Sequence, residues 1–322
     1  MKKVRDSFAG VVLVLILILY IRHQSPNPHL RYVSPSASSS SIFASNRLHK
    51  IVSPDIFNKR PMSSMFVNNL QTESPSNCVK MIVVLTFPLL YQPKVRLSHP
   101  DLSLVDLDRR MEEYISSLQS TLMHVNVEEI HFLFDDVALP SYVESKIYSN
   151  GIKLKFHRVY DSHKTSNIFE YVFTHLQGKL VMVTQADCYP ERGFHLINKT
   201  VLSKNRLMYA LTRHGHLEDS CDLSGEFCDQ KTYVGSHDAY VFVPQGRFPL
   251  SASVYLHKKT TTWGIDLLIV WVFENILRYR VLNPCKVIYI YHRHCSFVRD
   301  VKRVRVNTHN TTGWSPPTDK LV

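Results

Sequence analysis

The residues of this chain that could carry chemistry are few and far apart. Asp135-Asp136 and Asp187 each follow a short apolar run. A carboxylate just past a buried strand can hold a divalent cation, and through it a diphosphate. The same places suit a turn former or helix cap, which is the plainer role of Asp135-Asp136. His292-x-His294 follows the last apolar run. On a strand, residues i and i+2 share a face, and paired imidazoles ligate borderline metals. The chain has 17 histidines, however, so a pair also arises readily by chance. Asp266 follows Trp263-Gly264-Ile265 at the head of an apolar stretch, and Asp238 lies in Gly235-Ser236-His237-Asp238-Ala239-Tyr240. Each is either a cap or a ligand-facing carboxylate that acts as general base or holds a hydroxyl.

These residues need elements to position them. Residues 81–87 (MIVVLTF) form a continuous apolar run, as expected of a strand covered on both faces. Leu107, Met111, Tyr114, Ile115, Leu118 and Leu122 recur at helical spacing, with Asp106 and Asp108 near the start of the series. Further strands are predicted at 130–134, 152–156 and 180–184, with a short helix after Pro140 and another over 168–176 that Gly178 stops. This alternation predicts an α/β fold with a parallel sheet, whose ligand edge lies beyond the carboxyl ends of the strands. Beyond Asp187 the pattern is less regular. Strands are expected at 207–212, 239–243 and 286–291, and a buried helix over 267–277. The glycine-rich dinucleotide and phosphate loops and the nucleophile elbow G-x-S-x-G are absent from the sequence.

The ends of the chain differ from its middle. An apolar run over 8–21 follows Lys2, Lys3 and Arg5, and Arg22, His23 and Gln24 come next in place of a small-residue cleavage site. Residues 1–21 are therefore expected to be a cytoplasmic tip and uncleaved transmembrane signal anchor. Residues 22–77, rich in Ser and Pro, are expected to be a disordered stem. Residues 78–297 are left for one lumenal domain, and 298–322 for a basic tail. The formal net charge is +11, but the domain holds 24 Lys/Arg against 22 Asp/Glu, so it lacks the clustered charge of a nucleic-acid binder. All six cysteines lie in the domain, and the close pair Cys221 and Cys228 is expected to form a disulfide.

Several segments together resemble glycosyltransferase-like proteins of the GT-A fold. They run in order: Thr184-Gln185-Ala186-Asp187-Cys188-Tyr189; Ala210-Leu211-Thr212-Arg213; Ser236-His237-Asp238-Ala239-Tyr240-Val241-Phe242; Gly264-Ile265-Asp266; Asn283-Pro284-Cys285; and Tyr291-His292-Arg293-His294. The resemblance covers about 81–296 and implies a mixed sheet flanked by helices. It implies that Asp187, with Asp135 and Arg213, meets the diphosphate of a nucleotide-sugar donor, and that Asp187 with His292 or His294 holds a divalent cation such as Mn²⁺. Asp266, with Asp238, would serve the acceptor side. An anchor, stem and lumenal domain match a single-pass type II Golgi enzyme that transfers sugar to a glycan or glycoprotein. The usual D-x-D is reduced here to one carboxylate, with Gln185 and Tyr189 flanking it. Two other readings stay open: a non-catalytic lumenal nucleotide- or glycan-binding protein, and a membrane-anchored metal hydrolase.

An intact anchor predicts that the mature protein keeps residues 1–21 and that the sequons at Asn198 and Asn310 can carry glycans. Mass spectrometry of the expressed protein checks both; a new N-terminus near residue 25 would remove the anchor.

Overall fold

The computed structural model describes residues 79–91, 103–148, 153–215, 227–231, 233–296, 305–306 and 310–322, all within one unit spanning 71–322. The expected anchor and stem, and Cys221, lie outside these residues. Among the described residues no helix is long and apolar enough to cross a membrane.

A seven-stranded sheet organises the domain. Strands β1 (Met81–Leu85), β2 (Val127–Phe134), β3 (Leu154–Arg158) and β4 (Val181–Thr184) run parallel in the order β3-β2-β1-β4. Helices α1 (Leu104–Met123), α2 (Leu139–Lys146) and α3 (Thr165–His175) alternate with them. The second half breaks this rule. A short strand β5 (Cys188–Pro190), a 3₁₀ turn (Phe194–Leu196) and helix α4 (Lys199–Lys204) lead to β6 (Leu207–Leu211) and β7 (His214–Gly215). Next come β8 (Ala239–Phe242), α5 (Leu250–Tyr255), α6 (Ile265–Asn275), β9 (Arg280–Leu282) and β10 (Ile290–His292). Strand β8 enters the sheet antiparallel between β4 and β6, and β9 pairs parallel with β6 at the edge. The sheet is thus mixed.

Side-chain alternation along the strands builds two cores. Met81, Val83, Leu85, Met182 and Val241 face one layer with Leu107, Met111, Leu118 and Leu122 of α1. Ile82, Val84, Val181, Val183 and Phe242 face the other, with Phe169 and Phe173 of α3 and Leu268 and Phe273 of α6. Here ring centroids lie 5.2 Å apart for Phe169–Phe273 and 5.0 Å for Phe242–Phe273, in edge-on contact. Burial on both faces explains why the sequences of β1, β4, β6 and β8 read as nearly continuous apolar runs rather than alternating.

The expected last strand over 286–291 is corrected. Pairing begins only at Ile290, and the strand joins a separate three-stranded sheet of order β5-β10-β7. The expected Cys221–Cys228 disulfide is also corrected, because Cys228 is bonded to Cys285, with Cα atoms 5.9 Å apart. The small sheet brings these two together: β10 lies beside β7, and His214 Nε2 lies 2.9 Å from the Cys285 carbonyl. The cysteines are 57 residues apart in sequence, so the bridge removes about 4 kcal/mol of unfolded-chain entropy in the loop-closure model.

Gly193 sets the approach of β5 to β10. Its φ is +89°, and a Cβ there would stand 1.9 Å from the Val287 carbonyl oxygen. Just before it, Glu191 N–H donates to Tyr289 O (3.0 Å) and Tyr289 N–H to Arg192 O (2.9 Å). Gly193→Ala is expected to cost about 2–4 kcal/mol. Gly178→Ala has a similar φ of +70° but open space around it, and is expected to cost about 1–2 kcal/mol. Urea unfolding of both variants checks the difference.

Candidate active site

The carboxyl ends of β1 and β4 and the amino end of β8 share one sheet edge, since Thr184 pairs with Ala239. There the chain assembles two neighbouring acidic groups, one around Asp187 and one around Asp238 and Asp266.

Asp187 sits in the turn between β4 and β5 and is 4% exposed. Its Oδ2 accepts from Arg110 Nη2 at 2.5 Å, and lies 3.0 Å from His292 Nε2 and 3.5 Å from His294 Nδ1. The pairing of β10 with β5 places the histidines: His292 sits opposite Cys188, and Arg293 N–H donates to the Asp187 carbonyl (2.7 Å). Burial opposes the charge on Asp187, but His292 and Arg110 outweigh it and hold the carboxyl well below its usual range. Burial, then the nearby Arg110 charge, pushes His294 down to about 4, so its imidazole is neutral at physiological pH. Cys188 is a free, buried thiol, pushed well up by burial and by Asp187 and Asp238, and so stays protonated.

Sequence reasoning missed Arg110 and Glu113. Ser103 and Asp106 cap each other's backbone at the start of α1, which fixes the helix that carries both residues. They are 6% and 7% exposed and joined at 2.7 Å. Glu113 accepts from Cys295 N–H (2.8 Å), Ser296 N–H (2.6 Å) and Ser296 Oγ (2.8 Å), which ties α1 to the segment after β10. A signal was present in the sequence: Arg110, three residues past Leu107, falls on the apolar stripe, where a charge requires a buried partner.

Asp238, just before β8, is 2% exposed. Its Oδ1 accepts from Arg213 Nη1 (3.1 Å), and its carbonyl accepts from Gln185 N–H (3.1 Å). Its Oδ2 is buried without a hydrogen-bond partner among the described residues. Asp266 lies in the first turn of α6, where its Oδ2 accepts from His237 N–H at 3.3 Å. Burial, then the charge of Asp238, pushes Asp266 up to about 6. Gly235 permits this meeting: its φ is +80°, and a Cβ would stand 2.5 Å from Leu267 of α6. Buried His237 contacts Tyr233 Oη through Nε2 (2.7 Å), and burial lowers it to about 4.

The structure therefore gathers Asp187 with both histidines, and Asp238 with Asp266 and Arg213, in adjacent groups whose charges both act on Cys188. Asp266 stands with Asp238, rather than on Asp187. Asp135, on the same sheet edge beyond β2, is exposed and belongs to neither group, while Asp136 builds a turn by accepting from Ala138 N–H (3.0 Å). A cavity of about 320 Å³ opens elsewhere, beside the small sheet, with Arg192, His214, Lys286, Tyr289 and Tyr291 in its walls and none of the predicted site residues.

Asp187, Cys188 and His292 each offer a ligand atom, all within 4.8 Å of one another, which is close enough to share a metal ion. The donor chemistry fits Mn²⁺ poorly. Hard divalent cations favour oxygen. This set supplies one carboxylate, already bonded to a guanidinium, alongside imidazole and a thiol.

The chain matches no protein-family model and no curated protein. Among solved structures it is loosely similar to S. aureus TarS residues 1–349, with a TM-score of 0.36 and 12% identity over 66% of this chain and 60% of that one. It is similar to a UDP-glucose pyrophosphorylase complexed with UDP-glucose (TM-score 0.30, 9% identity, 67% of this chain and 90% of that one). It is also similar to HddC from Yersinia pseudotuberculosis (0.28, 14%, 53% and 83%). The chain thus spans 60% of the TarS structure's length. At these scores the site must be read from the chain's own residues.

Asp266 carries a stability cost with a definite sign. Its folded value of about 6 lies above the ordinary 3.8, so its favourable contribution is complete below pH 3.8 and lost as pH rises through about 6. Asp266→Asn is therefore expected to stabilise the protein near neutral pH by on the order of 1–2 kcal/mol, and to be close to neutral near pH 4. His237 acts oppositely: its contribution is present above 6.5 and lost as pH falls to about 4. Comparing variant with wild-type melting at each pH isolates the Asp266 effect.

Proposed function

We propose that this chain is a glycosyltransferase that takes a sugar from a nucleotide-sugar donor and passes it to a hydroxyl of a glycan or glycoprotein, as a single-pass type II protein of the Golgi membrane. The observation that carries the reading is Asp266. A carboxylate raised to about 6 at a helix start is poised to be a general base near neutral pH, and the buried Asp238 Oδ2 beside it has an acceptor position to offer. In this reading the acceptor hydroxyl gives its proton to Asp266 as its oxygen bonds to the anomeric carbon. The bond from that carbon to the diphosphate oxygen breaks, and the nucleoside diphosphate leaves with the electron pair. Arg213, 22% exposed and held by Asp238, is the cation placed to stabilise the departing charge. The Mn²⁺ expected from the sequence is not part of this proposal, because Asp187 is already neutralised by Arg110.

The rival with an observation in its favour is a nucleotide-binding protein without turnover, since the single carboxylate of the reduced motif is engaged within the fold. A metal hydrolase is weakened for the same reason. A thermal-shift panel of nucleoside diphosphates, with and without Mn²⁺, followed by donor turnover, separates these readings. A transferase predicts a diphosphate-dependent rise in melting temperature. It also predicts that Asp266→Asn loses about 100-fold or more of transfer while keeping the nucleotide shift. A shift without transfer in the wild type would favour the binding protein.

A further inference from the structure

We infer that Arg110 is the resident cation of the Asp187 centre, occupying the place a divalent ion would take there, so that the centre holds no metal and a nucleoside diphosphate binds without one. The diphosphate clause rests on the proposed function; the claim about Arg110 does not. The three polar groups gathered at Asp187 Oδ2 are Arg110 Nη2 (2.5 Å), His292 Nε2 (3.0 Å) and His294 Nδ1 (3.5 Å). An ion bound to that oxygen and to either histidine would have to sit beside the guanidinium. A guanidinium stays charged at every accessible pH and cannot yield by losing a proton.

Nor is Arg110 placed to swing away. Its Nη1 donates to Glu113 (2.7 Å), its guanidinium carbon lies 4.4 Å from the centroid of the Tyr114 ring, and the side chains of Arg110, Glu113 and Asp187 are 5–8% exposed. Glu113 is itself held by backbone and side-chain donors from Cys295 and Ser296, immediately after the His292-x-His294 segment. The segment that supplies the histidines thus also locks the cation that competes with a metal. With Oδ2 so occupied, what remains for an ion is imidazole, the Cys188 sulfur and Asp187 Oδ1, which that thiol approaches at 3.8 Å, a poor set for a hard cation that carries diphosphate.

The test is metal uptake by the full-length chain. The zinc and manganese content of the purified protein would be measured, then Mn²⁺ titrated with the free-ion electron paramagnetic resonance signal as readout. The expected result is no bound zinc, no Mn²⁺ taken up at millimolar ion, and a uridine diphosphate affinity in chelator within about two-fold of that in Mn²⁺. Arg110→Lys should also exclude Mn²⁺, whereas Arg110→Met should bind one ion per chain. One ion per wild-type chain, lost in Asp187→Asn, would overturn the inference, as would a folded Arg110→Met chain that still takes none. If Arg110→Met fails to fold, the wild-type uptake decides alone. If uridine diphosphate binds under neither condition, the nucleotide-sugar reading falls, and metal uptake still decides the role of Arg110.

Discussion

A carboxylate buried to 4% exposure must be compensated, and the compensation of Asp187 determines how the second half of the chain meets the first. Arg110 reaches it from α1, and His292 and His294 reach it from the end of β10. Glu113 then closes the circuit by bonding both Arg110 and the backbone after His294. Three segments far apart in sequence thus share one buried charge network. Removing a single member would leave an uncompensated charge in a low-dielectric interior, which is the costly case for a buried pair.

The mixed sheet makes this meeting possible. Four parallel strands deliver their carboxyl ends to one edge, and the reversal of β8 brings an amino end there as well. Asp187 leaves the sheet after β4, and Asp238 precedes its entry into β8, so the paired strands hold the two carboxylate groups as neighbours. The small sheet of β5, β10 and β7 then folds over this edge, with Cys228–Cys285 joining its neighbourhood to the Asp238 loop.

The two groups are tuned in opposite directions by their partners. Asp187 is surrounded by cationic and hydrogen-bonding groups and stays ionised, whereas Asp266 has burial and the Asp238 charge against it and rises toward neutrality. Two carboxylates pushed apart in this way provide a fixed charge and a titrating one at the same edge. That division of roles suits acid–base chemistry and is paid for in stability.

What the sequence by itself determined is local. The apolar runs of β1, β2 and β4 are set by burial on both faces, and the spacing of Leu107, Met111, Leu118 and Leu122 by burial on a period of 3.6; they appear as expected. That His292 and His294 act together was legible from their spacing, although β10 ends at His292 and His294 follows it, and an acidic residue past β4 was legible too. The short strands β5, β7 and β9 carry no readable period, because two or three residues cannot express one. Only the tertiary structure decided that Cys228 bonds Cys285 rather than Cys221, since pairing follows the approach of Cα atoms and not their spacing along the chain. It alone separated Asp266 from Asp187 and joined it to Asp238, and it alone supplied Arg110 as the partner of Asp187. Those contacts span 28 and 77 positions, and the field around a buried carboxylate comes from whatever the folded chain packs against it.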